Sequence, residues 1–452
     1  MVAIRLFKRE YLGIIASMKK SALKRFEVPK MAFPLILSNL TVPLLGLTDS
    51  IVMGHLSSAY FLAAVGFGVS IFDFVYWCFG FLRQGTTGFI AQAFGRQDLK
   101  ECVLVFERGL FLALSIAVIL LILAKPIGDL IQFFLRDKTT LAHYTLAYFY
   151  VRIWGGPATL MNYVINAWFL GVKRTRYCLY QMLIINGIAI VLDVVFVFGF
   201  GMNVRGVALA DVIGQWSGVA FGIYIFLGRE NVRHHLTRFI FKWQEFKKLL
   251  VLNRDIFIRT FSLMCVYLYF NYQSALFGKD VLAANTALIN IMMLMAYAQD
   301  GFNNSAEILV GNSLGDKNTP LFWSSIKATC FWSLVVGVVS VIVYLLIGKY
   351  LVLMITSIPD VVQQANHYLP WVIISPIITI WCFWLDGVFM GATWGRELRN
   401  GMVIAAVSAL IAWYLTLSWG EQGLWFAFIF FFFMRGIAMG FFFKRRALTL
   451  QQ

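Results

Sequence analysis

Charge is what this chain lacks. Only 13% of its 452 residues are charged and 60% are hydrophobic. A soluble domain carries about 25% charged residues, so a water-soluble globular protein is excluded. Mean hydropathy is +0.77. Acid is especially scarce, with 22 Asp and Glu against 38 Lys and Arg. No nucleic-acid motif accompanies the basic excess, so no nucleic-acid partner is expected. The six cysteines are scattered, with no CxxC or metal-ligand spacing. They read as small buried hydrophobes. His234 and His235 adjoin in a basic loop that does not resemble a zinc site. HExxH and GxSxG are absent, so an enzyme is not expected. The first 30 residues lack a clean apolar core and a small-residue cleavage site, and are not read as a signal peptide. They are basic, either a solvated tail or an interfacial helix.

What is present is a series of apolar windows long enough to cross a bilayer. They fall near 31–55, 61–93, 104–133, 141–171, 178–200, 206–228, 249–277, 283–313, 322–347, 361–391, 400–418 and 422–443. The expected fold is an all-α membrane protein of twelve transmembrane helices. Pro34, Pro43, Pro157, Pro370 and Pro376 lie in or beside windows, where membrane helices tolerate them as bends. Lys and Arg crowd alternate connections: Arg96 and Lys100, then Lys173, Arg174 and Arg176, the 229–254 segment, and Lys444 to Arg446. The other side holds few, such as Lys125, Arg136 and Lys279. The positive-inside rule then places both termini in the cytoplasm, and the expected location is the cell (inner) membrane.

The two halves echo one another. "FLRQGTTGFIAQAFGRQD" from Phe81 matches "FNNSAEILVGNSLGDKN" from Phe302. Pro157 with "WFLGVKRTR" matches Pro376 with "VFMGATWGR", and "RGVALA" from Arg205 matches "QGLWFA" from Gln422. The offsets cluster near 220 residues. Six helices per half keep the second repeat in the orientation of the first, so the lobes should be related by a pseudo-two-fold along the membrane normal. The chain divides into a basic segment (1–30), a first lobe (31–228), a cytoplasmic linker (229–254), a second lobe (255–444, its first helix starting near 249) and a tail (445–452).

Six acids lie inside apolar windows: Asp49, Asp193, Asp211, Asp300, Glu307 and Asp386. An acid at such depth costs roughly 3 kcal/mol on insertion scales and normally serves a pathway or a protonation site. Low dielectric favours the uncharged carboxyl, so Asp49, Asp193 and Asp211 are candidates to take up a proton. Asn186 shares a helix face with Asp193, seven residues on, as a possible donor to it. The alternative is structural ion pairing with Arg83 or Arg152, and for Asp211 also a helix cap. Asp300 and Glu307 share one face of helix 8, with Asp386 on helix 10, as a second cluster able to attract a cationic substrate; the alternative for each is a structural pair or a helix-end contact. Asp73 is expected to pair with Arg152 or Arg83. Trp154, Trp168, Trp381 and Trp384 are aromatic candidates for substrate contact.

The segments "PLLGLTDSIVMGHL" (43–56), "FGFLRQGTTGFIAQAFG" (79–95) and "VLDVVFVFGFGMNVRGVALA" (191–210) resemble multidrug and toxic compound extrusion (MATE) transporters, of the DinF-like branch. Their partners are "DGFNNSAEILVGNSLG" (300–315) and "WLDGVFMGAT" (384–393). The resemblance implies an antiporter exporting hydrophobic, often cationic small molecules against a proton or sodium gradient. It needs no cofactor beyond the coupling ion, H+ or alternatively Na+. Asp49 and Asp193 match the family's acids on helices 1 and 5, and Tyr148 and Asn162 are the nearest matches to its polar residues on helix 4. Two departures bear on the sodium site of some relatives and fit protonation at least as well. Ala189 stands where relatives often have Asn, and Asp211 where they often have Thr. A monomer contacting membrane lipid is expected, and a flippase for a lipid-linked cargo is the alternative function.

Overall fold

The computed structural model describes residues 27–54, 59–136, 138–229 and 242–449, with some side chains of the first helix, Asp49 among them, outside the description. Among the described residues there are helices and no strand. Fifteen α-helices run in order: α1 Glu27–Gly54, α2 Ala59–Cys78, α3 Phe81–Gly95, α4 Leu99–Ile122, α5 Ala124–Phe134, α6 Thr139–Arg152, α7 Gly156–Gly171, α8 Thr175–Val194, α9 Asn203–Arg229, α10 Trp243–Phe277, α11 Lys279–Gly315, α12 Thr319–Ile355, α13 Pro359–Gly391, α14 Gly395–Leu415 and α15 Glu421–Thr449.

Each apolar window lies on a helix or on a broken pair. Window 61–93 is α2 and α3, interrupted at Phe79-Gly80. Window 141–171 is α6 and α7, joined by a 3-10 turn at Ile153–Gly155, with Pro157 in the first turn of α7. Proline suits that position because its missing N–H would lack a helical partner anyway. Pro370 and Pro376 lie inside α13, which continues through them. Among the described residues, nine helices are long and apolar enough to cross a membrane. The windows in α1, α6–α7 and α10 complete the twelve. Helices α11 and α12 have 37 residues each, about 55 Å at 1.5 Å per residue, so both extend beyond the hydrocarbon layer. Helix α10 begins at Trp243, inside the 229–254 segment, and 230–241 lie outside the described residues.

The repeat is visible in backbone geometry. Non-glycine residues with positive φ are uncommon, yet Gln97 (61°) and Lys317 (52°) adopt it, 220 residues apart. Lys173 (61°) and Thr393 (57°) repeat the offset. Asp98 and Asn318 follow suit as N-caps: Asp98 accepts from the Glu101 N–H and Asn318 from the Leu321 N–H, each at 2.9 Å. Such caps satisfy a backbone donor left open at a helix start.

The loops after α3, α7, α11 and α13 share one end of the bundle, the basic face. Here the lobes meet. Helix α3 of the first lobe packs on α11, α10 and α13 of the second, and α1 packs on α11. A Cβ on Gly95 would lie 2.1 Å from the Asn312 carbonyl oxygen, and one on Gly315 would lie 2.0 Å from that of Gln92. The two contacts are repeat-related and reciprocal. Gly88 likewise faces the Met390 carbonyl oxygen, at 2.4 Å from its Cβ position. Small residues let backbones approach closely in membrane interfaces. The Gln92 side-chain amide donates to the Gly391 carbonyl at 2.9 Å and to Thr393 Oγ1 at 3.3 Å. Asn39 reaches the Tyr297 carbonyl at 3.4 Å, and Cys78 Sγ meets Met264 Sδ at 3.6 Å, both at mid-depth. No described inter-lobe hydrogen bond lies farther from the basic face.

Replacing Gly95 or Gly315 with Leu should hold the basic face apart, since the obstacle is backbone. Cysteine cross-linking between the 96–98 and 316–318 loops checks this: cross-linking should fall at least tenfold in either variant.

Candidate functional site

The first-lobe residues form three groups rather than one. In the group farthest from the basic face, Tyr148 on α6 donates its hydroxyl to Asp211 Oδ2 at 3.2 Å. Arg152, one turn along α6, places Nε 3.0 Å from the same oxygen. Its guanidinium also lies over the rings of Phe72 and Tyr76, at 5.8 and 5.9 Å. Asp211 lies well inside α9, so it is no helix cap, and its partner is one of the two arginines weighed from sequence. Asp73 is exposed, with Arg152 as the main cation acting on it.

The second group is an amide ladder. Asn162 donates to Gln215 at both the backbone oxygen (2.9 Å) and Oε1 (3.0 Å), and Gln181 donates to Asn162 Oδ1 at 2.8 Å. Gln181 and Gln215 were not singled out from sequence. The third group joins Asn186 to Thr41, whose hydroxyl accepts from the Asn186 amide at 2.8 Å. This donation goes to Thr41 and not, as expected, to Asp193. Asp193 itself is buried on α8, which packs on α1 and α9, the helices carrying Asp49 and Asp211. The Asp49 side chain lies outside the described residues.

The second lobe differs from the expected acidic patch. Asp386 of α13 is gripped at one oxygen by Arg259 of α10 and Arg435 of α15, and all three are buried. It therefore offers no net negative charge to a cationic ligand, which corrects its reading as a cation-attracting residue in favour of the alternative, a structural ion pair. Arg259 and Arg435 are not among the residues singled out from sequence, although Arg435, alone in "FFFFMRGIAMG", is as costly an intramembrane charge as the acids. Asp300 is half-buried, accepts a hydrogen bond from Asn303, and feels Arg83 and Arg259. Glu307 is fully buried on α11. Trp168 and Trp384 are buried, Trp384 donating to Thr329 Oγ1 at 3.0 Å, whereas Trp154 and Trp381 are exposed. At the basic face, burial lowers the Lys173 amine to about 8, against the opposing influence of Glu27 and of Asp316 from the other lobe.

Comparison with known proteins agrees with this architecture. The MatE family model matches twice, at residues 34–195 and 256–417, once in each lobe. DNA damage-inducible protein F of Escherichia coli K12 is 34% identical over 419 residues, 92% of this chain and 91% of that protein. The probable multidrug resistance protein NorM of Thermotoga maritima is 27% identical over 77% of each chain. A MATE crystal structure in the bent conformation superposes with a TM-score of 0.85 at 19% identity, covering 94% of this chain and 95% of that one. A MOP-superfamily transporter from Pyrococcus furiosus, described as having a binding pocket of reversed polarity, superposes at 0.84 with 18% identity, over 95% and 97%. At such identities the structures establish the fold, twelve helices in two lobes. With its double MatE match and its identity to protein F along nearly the whole length, the chain belongs to the MATE family of multi-pass membrane transporters, in the DinF-like branch.

Proposed function

We propose that this protein is a proton-coupled antiporter that exports hydrophobic, often cationic compounds by alternating access. The carrying observation is the glycine seam. It joins the lobes at the basic face, and the described inter-lobe hydrogen bonds stop at mid-depth. With the basic face cytoplasmic, this is the conformer closed to the cytoplasm. Asp49, Asp193 and Asp211 lie on the first-lobe helices beyond the seam. The names of the relatives, a multidrug resistance protein among them, support a drug-like substrate.

The choice of proton over sodium rests on the Asp211 group. A sodium site needs several oxygens free to ligate. The Asp211 oxygen that accepts from Arg152 and Tyr148 is already engaged by two donors. Ala189 offers no amide. Asp49 and Asp193 are thereby left as the proton carriers. Reconstitution in proteoliposomes tests this. An imposed pH gradient should drive efflux of a fluorescent cationic dye, and Asp49→Asn should reduce the rate at least tenfold. Efflux driven by a sodium gradient alone would overturn the proton assignment.

In the second lobe, Asp386 is a structural counter-charge in this reading. Removing one partner of a buried ion pair costs about 3–5 kcal/mol. Asp386→Asn should therefore lower the unfolding temperature in detergent sharply. Adding Arg435→Met should recover part of that loss, as followed by thermal denaturation on size-exclusion chromatography.

A further inference from the structure

Arg83 projects from α3 of the first lobe onto α11 of the second, where its Nη1 donates to Asn304 Oδ1 at 3.0 Å. The spacing of Asp300, Asn304, Glu307 and Gly311 puts them on one face of α11. This face meets the seam: the Cβ position of Gly311 lies 2.7 Å from the Ala91 Cβ of α3. On the α13 side, the Gly391 Cβ position lies 2.3 Å from the Glu307 carbonyl oxygen. Glu307 is thus sealed between two helices, with no measurable exposure. Among the described residues neither of its carboxyl oxygens has a hydrogen-bond partner.

The charged neighbours are few. From α3, Arg83 is the charged group that acts on Glu307. The remaining ionisable groups on helices packed against α11 are engaged or distant in sequence from the seam. Asp386 of α13 is bound to Arg259 of α10 and Arg435 of α15. Helix α10 adds Glu245, Lys247 and Lys248 near its start, and Arg254 and Asp255, which pair with each other, Asp255 also with Arg399. Glu27 and Lys30 start α1 and Asp49 lies toward its end, Lys327 and Lys349 lie on α12, Asp360 and His367 lie near the start of α13, α7 has Tyr163, and Asp300 lies two turns back on α11 itself. Among the described side chains none of these acts on Glu307. An ionised carboxylate buried without a donor is costly. The seam that buries it is the part of the molecule that must part when the basic face opens.

We propose that Glu307 is a proton-linked closing residue and Arg83 its positioning partner: closure of the basic face requires Glu307 to carry a proton taken from that side. When the face opens, water reaches the carboxyl, which releases the proton as hydronium. When it closes, hydronium returns the proton, a water molecule is left behind, and the neutral carboxyl is enclosed. Arg83 meanwhile bonds to Asn304 across the seam. This rests on the alternating-access reading but not on which ion drives transport.

Double electron–electron resonance tests it in the full-length protein in lipid nanodiscs, with its six cysteines replaced and spin labels at K100C and D316C. The closed fraction should rise as pH falls in the otherwise unaltered protein. In Glu307→Gln it should be high and at least threefold less sensitive to pH. In Arg83→Gln it should fall at every pH, and adding Glu307→Gln should raise it only at the higher pH values, where Glu307 is ionised. An unchanged pH profile in Glu307→Gln would overturn the proposal. So would the absence, in the closed protein that retains Glu307, of an infrared band for a protonated carboxyl that Glu307→Gln removes, a readout independent of how well the variants close. Asp49→Asn separates the two proposals, because it should abolish proton-driven efflux while leaving the pH dependence of closure intact.

Discussion

Everything else in this structure depends on a backbone contact that only glycine permits. Gly95 lies under the Asn312 carbonyl and Gly315 under that of Gln92, with no room for a Cβ at either place. The contact is made twice because the chain contains the same element twice. Two copies of one helix end, related by an axis along the bundle, meet at that axis and must present the same surface to each other. A small residue on one copy faces the backbone of the other, and the reverse. Such an interface gains dispersion and close packing without depending on the hydrophobic effect, which is weak between helices already in lipid. Apolar contacts between the lobes flank it, with Phe81 on Phe257 and Val28 and Ala32 beside Phe302 and Leu309.

The second constraint is the disposition of charge. Buried arginines accompany the buried acids: Arg152 with Asp211, and Arg259 and Arg435 with Asp386. The pairs cross between helices, joining α6 to α9 and α13 to both α10 and α15. A buried ion pair is weak evidence for stability, because desolvation offsets much of its attraction. What it does is make the loss of either partner expensive, which ties those helices together. The acids outside such pairs have a different standing. Glu307 is closed in at the seam, so its ionisation and the seam's closure are competing events.

Much of this was legible in the sequence. The twelve windows mark helices because a bilayer demands about 20 apolar residues per crossing, a rule that acts locally. The repeat was legible because "GRQD" and "GDKN" keep the same order and offset, and both build a positive-φ turn followed by a capped helix. The site was legible only as a set of residues. Asp211, Tyr148 and Asn162 were all in view, but not that Asp211 and Tyr148 share a group with Arg152 while Asn162 belongs to another with Gln181 and Gln215. Asn186 faced Asp193 along its helix, yet it bonds to Thr41 on a different one.

By itself the sequence determined the number of membrane-spanning segments, the symmetry between the halves and the presence of costly intramembrane charge. These follow from composition and spacing along one chain, where transfer free energy and backbone hydrogen bonding act within a single segment. Only the tertiary structure decided which charges neutralise one another, which carboxyl is sealed, and where the lobes touch. Those outcomes depend on distances of a few ångströms between helices far apart in the chain. Hydrogen bonds and ion pairs are short-ranged and directional, so a turn of one helix or the lack of one Cβ determines the partner.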